Sequence, residues 1–363
     1  MNVEENLKKD GIEIIAPLDK KSIHALAKSF ANKLCNAFPT LGLNPQALYD
    51  EISSLSMYVA NMPEGMAEAN YSYGNSSVYF RDGMGLAELE QFAIHEFIHH
   101  VQSVKDKKQT LIKLGLCDFT EFKIYGMALN EGAVQLMTST TLKEEMESVK
   151  YYDIEFPTKS VSYYPLLCNL VAQMAQVTGE EVLFDSTIYS NDRFGIKFAS
   201  LCGEKAFFKV QKNLDTIFYT EEKIIKLNNK LLESDCSDKQ IDKISRKVAN
   251  LKQKMKDTFF ETQNTILVSY FDHEFARIIT TEDIEAFRTE LYTFKNFIGV
   301  AEDYHFFNQF YINKMAELDQ KYEAIINNTY LVTVPNNRFK KIFSFVRKLL
   351  WNPAEDYDTQ DRK

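Results

Sequence analysis

The chain has 363 residues, 45% of them hydrophobic and 13% aromatic, and a formal net charge of −9. That apolar content excludes a chain that stays disordered, and 13 Gly with 8 Pro exclude collagen-like and low-complexity classes. A balance of 42 Lys+Arg against 51 Asp+Glu, with no long basic block, argues against a dedicated nucleic-acid binder, because phosphate binding needs clustered cations.

In chain order, Gly11 to Pro17 reads as a short strand. Ser22 is the expected cap of a helix that ends before Pro39, and Asn44-Pro45 is a cap with Pro at the first helical position, opening a second helix towards Leu55. Tyr71 to Arg81, rich in Tyr, Val and Phe around Gly74-Asn75, reads as strand or hairpin. Leu86 to Val104 reads as one helix. At 100° per residue, Leu86, Leu89, Ala93, Ile94, Phe97 and Val101 fall on its back, while Glu88, Gln91, His95, His99 and Gln102 share its front. Further helices are expected over Phe119 to Leu142, Tyr163 to Val177 and Gly179 to Tyr189. Glu221 to Asn264 reads as a helical hairpin turning at Ser234 to Asp238 and packed on its own chain.

No apolar stretch reaches the roughly 18–20 residues of a membrane span, and the first residues lack the apolar segment of a secretory signal. Cys35, Cys117, Cys168, Cys202 and Cys236 are odd in number and contain no CxxC pair, so free thiols in a reducing cytoplasm are expected. Delivery outside the cell by a signal-free route remains compatible with this.

The chemistry concentrates in His95-Glu96-Phe97-Ile98-His99, which matches HExxH. Residues four apart sit one helical turn apart, so both imidazoles can reach one metal ion. The glutamate lies about 100° round, close enough to act as general base towards a water polarised by that ion. His100 points about 140° away, towards the packed side, and reads as a packing residue. Gln102 and Lys105 stand where a metzincin would carry Gly and a third His, so the third ligand must come from elsewhere. Glu131, on a mostly apolar stripe with Ile124 and Met127, is the strongest choice, because a lone buried carboxylate is costly unless paired or metal-bound. Glu121 and Asp118 are the alternatives.

His95-Glu96-Phe97-Ile98-His99 followed by Leu129-Asn130-Glu131-Gly132-Ala133 resembles the gluzincin metallopeptidases over roughly Tyr71 to Leu142. The resemblance implies zinc held by His95, His99 and Glu131, with Glu96 as base. The 31 residues between His99 and Glu131 exceed the usual spacing of thermolysin-like and aminopeptidase members and are similar to that of clostridial neurotoxin light chains. The aminopeptidase Gly-Ala-Met-Glu-Asn motif is absent, so aminopeptidase activity does not follow. Oxyanion stabilisation in such enzymes comes from a Tyr, His or Arg beyond the third ligand. Tyr163, Tyr164, Arg193, His273 and His305 are available, and Tyr164, at the start of the next helix, is the choice. The strand Asn75 to Arg81 fits either the edge strand that pairs with an extended substrate in that fold or an ordinary sheet strand.

The expectation is therefore an α+β, predominantly helical chain, with a zincin-like catalytic domain holding a small mixed sheet and an active-site helix. Residues 1–145 would carry the HExxH motif and third ligand, 146–220 would complete the cleft, and 221–363 would be a helical C-terminal region. The expected function is zinc-dependent hydrolysis of a peptide or protein substrate. The rival readings are a zincin-like binding scaffold without turnover and a toxin-like effector protease acting on a host protein. Arg338 to Trp351 is basic and amphipathic, and reads either as a helix docked on the body or as a membrane contact.

Overall fold

The computed structural model describes residues 11–63, 66–108, 110–119, 124–233, 237–299, 305–327 and 329, with the backbone alone for 232, 233, 305 and 306. The basic segment Arg338 to Trp351, Glu121 and Cys236 lie outside the described residues. The architecture is α+β, mostly helical with small sheets.

Strands β1 (Glu13–Pro17), β2 (Ser56–Asn61), β3 (Ala69–Ser72) and β4 (Ser77–Arg81) form a mixed sheet in the order β1-β2-β4-β3. The β2–β4 pairing is parallel and the other two are antiparallel. β4 was a candidate edge strand, but it lies inside the sheet. The edges are β1 and β3, because the β3–β4 hairpin pairs with β2 through β4. Val78 and Phe80 of β4 face the main core, while Tyr79 packs with Ile12, Ala60 and Met62 on the other face, as the two-residue alternation of a strand requires.

Helix α1 (Lys20–Ala37) is capped by Asp19 rather than Ser22. The Asp19 carboxylate accepts from the Ser22 amide at 3.0 Å, so Ser22 is already inside the helix. Asn44 caps α2 (Pro45–Ser53) as expected, accepting from Gln46 N and Ala47 N at 2.9 and 3.1 Å. Helix α3 (Leu86–Val101) opens where the Glu88 carboxylate accepts from the Gly85 amide at 2.8 Å, and buries Leu89, Ala93, Ile94, Phe97 and Ile98. It stops short of Val104.

The segment after it is strand, not the start of another helix. β5 (Ser103–Lys105), β6 (Leu111–Leu114), β7 (Cys117–Phe119) and β8 (Ile124–Tyr125) make a second sheet in that order. β6 and β7 join through Gly115-Leu116, with Leu114 opposite Cys117, and the left-handed φ of +56° at Gly115 lets this two-residue turn form. Gly126, at φ +77°, then breaks the strand, so helix α4 runs Met127–Thr141 and not from Phe119.

Helix α4 is buried almost all round, from Ala128 to Ser139. Around it pack α3, α5 (Pro165–Thr178), α6 (Glu180–Ile188) and α8 (Glu204–Glu233), with the hairpin β9 (Glu147–Tyr151) and β10 (Ile154–Thr158) between α4 and α5 in sequence. Helix α7 (Arg193–Cys202) leads into α8, which pairs with α9 (Asp238–Arg277) as the expected long hairpin. α10 (Thr281–Ile298) and α11 (His305–Ile326) follow. One apolar cluster joins residues from Leu26 to Leu318. Cys35, Cys117, Cys168 and Cys202 are free thiols. Among the described residues, no helix is long and apolar enough to cross a membrane.

Gly132 lies where α4 meets α5. A Cβ there would sit 2.8 Å from Val171 Cγ2 and 3.2 Å from Leu167 Cβ. Gly132→Ala is expected to destabilise the chain by about 1–3 kcal/mol through overpacking, despite alanine's better helix propensity. Denaturant unfolding checks this, and equal or raised stability would show that the two helices move apart freely.

Candidate metal centre

His95 and His99 leave one face of α3 a turn apart, and Glu131 faces them from α4. His95 Nε2 lies 3.0 Å from His99 Nε2. The Glu131 carboxylate oxygens lie 3.3 Å from His95 Nε2 and 3.5 Å from His99 Nε2. These three ligand atoms all fall within 4.8 Å of one another. His99 and Glu131 are buried, and His95 is half-buried at the mouth of a cleft of about 80 Å³.

The tautomer of His95 follows from a chain of hydrogen bonds. The Ser160 hydroxyl donates to the Tyr163 carbonyl at 2.5 Å, so its oxygen accepts from Gln135 Nε2 at 3.1 Å. Gln135 Oε1 then faces His95 Nδ1 at 2.9 Å. An amide oxygen only accepts, so Nδ1 carries the hydrogen and Nε2 presents a lone pair to the other two ligands.

His99 has a similar partner. Its Nδ1 lies 2.8 Å from the side-chain amide nitrogen of Gln102, while Gln102 Oε1 and Asn130 Nδ2, both buried, have no hydrogen-bond partner. Turning the Gln102 amide end over puts its oxygen on His99 Nδ1–H and its nitrogen where the orphaned oxygen stood. That orientation commits His99 Nε2 as a lone pair as well. Two imidazole lone pairs and a carboxylate at 3.0–3.5 Å repel one another unless a cation sits among them. Neutral imidazoles and a carboxylate are also good ligands for a divalent metal ion, so these residues fit one.

Where no metal ion sits among them, a proton on the imidazoles can take the cation's place. Burial alone would raise the Glu131 carboxyl, but the imidazoles of His99 and His95 outweigh it and hold the group well below the usual carboxylate range. Burial opposes protonation of His95, while Glu131 and Glu96 pull its pKa upward overall. Glu96 is shifted up, chiefly by burial, against the pull of His95 and His99.

Glu96 stands beside the three ligands without joining them. One of its oxygens accepts from the Tyr71 amide at 2.7 Å. Tyr71 lies on the edge strand β3, and that amide points away from β4, so the sheet edge holds the carboxylate in place. The Tyr71 hydroxyl meets His100 Nδ1 at 3.0 Å, and His100 Nε2 reaches Glu51 at 3.2 Å. His100 therefore ties α3 to β3 and α2, as a packing residue.

Tyr164 borders the same cleft, its ring centroid 6.4 Å from that of His95. It caps α5 ahead of Pro165 with a left-handed φ of +49°, a conformation a bulky residue adopts only where its surroundings enforce it. Burial, then Glu131 and Glu96, push its phenol well above the usual tyrosine value, so it stays a donor. Tyr163 lines the cleft too, and donates to Glu68 at 2.6 Å.

The other sequence candidates fall elsewhere. Asp118 pairs with Lys113 on the second sheet, Arg193 with Asp185, and exposed His273 with Glu274. His305 begins α11, its side chain outside the described residues. Sequence reasoning missed Tyr73, whose ring lies 6.3 Å from that of His99, and the orienting roles of Gln135 and Gln102. Both glutamines were visible on the metal-facing sides of their helices, at i+4 from Glu131 and i+3 from His99.

Compared with known proteins, the chain matches no protein-family model, no curated protein and no solved structure.

Gln135→Leu removes the acceptor that fixes His95. Metal affinity is expected to fall about ten- to hundredfold, read by competition against a chelating dye. Unchanged affinity would show that His95 needs no partner at Nδ1.

Proposed function

We propose that the chain is a zinc-dependent metallopeptidase with a zincin-like centre of gluzincin type. The observation that carries this reading is the convergence of His95, His99 and Glu131, with the Glu96 carboxylate held beside them at the cleft by the Tyr71 amide. Two imidazoles and one carboxylate, three protein ligands rather than four, form the donor set of catalytic rather than structural zinc sites. Zinc in such a site supplies a Lewis acid for a carbonyl oxygen and acidifies water.

The chain's own residues supply the rest. Glu96 accepts a proton from the attacking water and delivers it to the departing amine. Its upward-shifted carboxyl suits both halves of that transfer. The Tyr71 amide leaves one Glu96 oxygen free and fixes the direction in which it points. Tyr164, kept protonated by its buried acidic surroundings, donates to the oxygen on which charge develops. The outward-facing backbone of β3 other than the Tyr71 amide, which Glu96 engages, offers hydrogen bonds to an extended peptide laid along the sheet edge.

Chain purified from zinc-supplied cells is expected to carry about one zinc, and His95→Ala to lose it, as read by mass spectrometry. Metal-free wild type would overturn the zinc assignment. Glu96→Gln is expected to keep the metal and lose turnover of a broad peptide library by about 10²–10⁴-fold, with chelator-treated wild type as the blank. Full activity in Glu96→Gln would remove it as the base.

A further inference from the structure

Beside the proposed metal centre, the cleft has a one-sided chemistry. Glu68, Glu96 and Glu144 line it, and among the described residues no Lys or Arg does. Glu96 is committed to the reaction. Glu68 and Glu144 are not, and neither forms an ion pair among the described residues. The nearest arginine along the sheet, Arg81, spends its guanidinium on the carbonyls of Met62, Pro63 and Met66 at 2.7–3.2 Å.

Aromatic side chains line the cleft together with the acids. Phe92 and Tyr163 meet edge to face, with centroids 6.0 Å apart, and the Tyr163 hydroxyl holds Glu68 in place. A divalent ion on the three ligands would cancel the charge of Glu131 and one more carboxylate, leaving the rest of the cleft negative.

A recess lined by both aromatic and acidic side chains suits a long cation. The methylene stem of a lysine or arginine packs on aromatic faces while its head meets carboxylate. An acidic side chain there would be repelled, and a short amine would leave the aromatic walls uncovered. Resting on the peptidase reading above, we infer that Glu68 and Glu144, with Phe92 and Tyr163, select substrates that carry a lysine or arginine side chain next to the bond to be cut.

The test uses the full zinc-loaded chain and N-acetylated, internally quenched peptides differing only in Lys, Arg, norleucine or Glu near the scissile bond. Lys and Arg peptides are expected to exceed the Glu peptide in kcat/KM by about tenfold or more. In Glu68→Gln/Glu144→Gln, checked for zinc content, that ratio should fall towards one. Calorimetry with zinc-loaded Glu96→Gln reads the same preference as binding, independent of turnover. If Lys and Arg peptides bind preferentially but wild type cleaves none, the recess stands and the peptidase reading falls. Equal binding and cleavage across the four side chains overturns the inference. So does a preference set only by a free α-amine in matched non-acetylated peptides.

Discussion

A carboxylate buried in a helix that is itself buried on nearly every side is the constraint around which the centre is organised. Glu131 is 8% exposed, on a helix whose other residues from Ala128 to Ser139 are also buried. Removing such a group from water costs several kcal/mol unless charge or hydrogen bonds replace the lost hydration. His95 and His99 are the groups that meet it, and they can do so only if α3 crosses α4 at this point with its polar front inward. Gly132, one residue on and so about 100° round the helix, permits the close approach of α5 on the adjoining side of α4. The same residue pair, Glu131-Gly132, thus links the chemistry of one face of the helix to the packing of the adjoining one.

The two imidazoles are oriented by neutral amides, Gln135 and Gln102, and not by carboxylates. This choice has an electrostatic logic. The site already contains Glu131 and Glu96, and Glu68 and Glu144 border the same cleft. Another pair of buried carboxylates would add like charge beside a cleft that, among the described residues, no lysine or arginine lines. An amide oxygen fixes the tautomer as firmly as a carboxylate does, while leaving the imidazole less basic. The arrangement therefore orients both imidazoles without adding formal charge beside Glu131 and Glu96.

The sequence made the centre legible and much of its frame illegible, for a physical reason. Helical periodicity is local, so His95, His99 and Gln102 could be placed on one face of a helix, and Glu131 with Gln135 on one face of another, from spacing, while the meeting of the two faces was only implied by the HExxH pattern and the gluzincin resemblance; Ile124, expected on the same stripe as Glu131, lies in β8. The caps at Asn44-Pro45 and the long α8–α9 hairpin were legible for the same reason. The second sheet was not, because its strands are only two to four residues long and exist through pairing with one another. The expected helix from Phe119 begins only at Met127, because Gly126, at positive φ, separates it from the strands before it. The interior place of β4 was hidden too, since its parallel pairing with β2 depends on contacts across a loop. Glu68 meeting Tyr163 spans 95 residues and has no local signature at all.

The strained Tyr164 connects these levels. Pro165 favours extended backbone in the residue before it, so the left-handed φ of Tyr164 is held against that preference, next to a turn in which Ser160 is fixed between the Tyr163 carbonyl and Gln135. The turn that orients His95 through Ser160 and Gln135 is thus the same turn that carries Tyr163 to Glu68 and Tyr164 to the cleft. A shift in that turn would move the histidine tautomer, the acid-lined wall and the phenol donor together. Residues 160–165 therefore act as one mechanical unit, and their geometry is set by α4 on one side and α5 on the other, the two helices that Gly132 allows to touch.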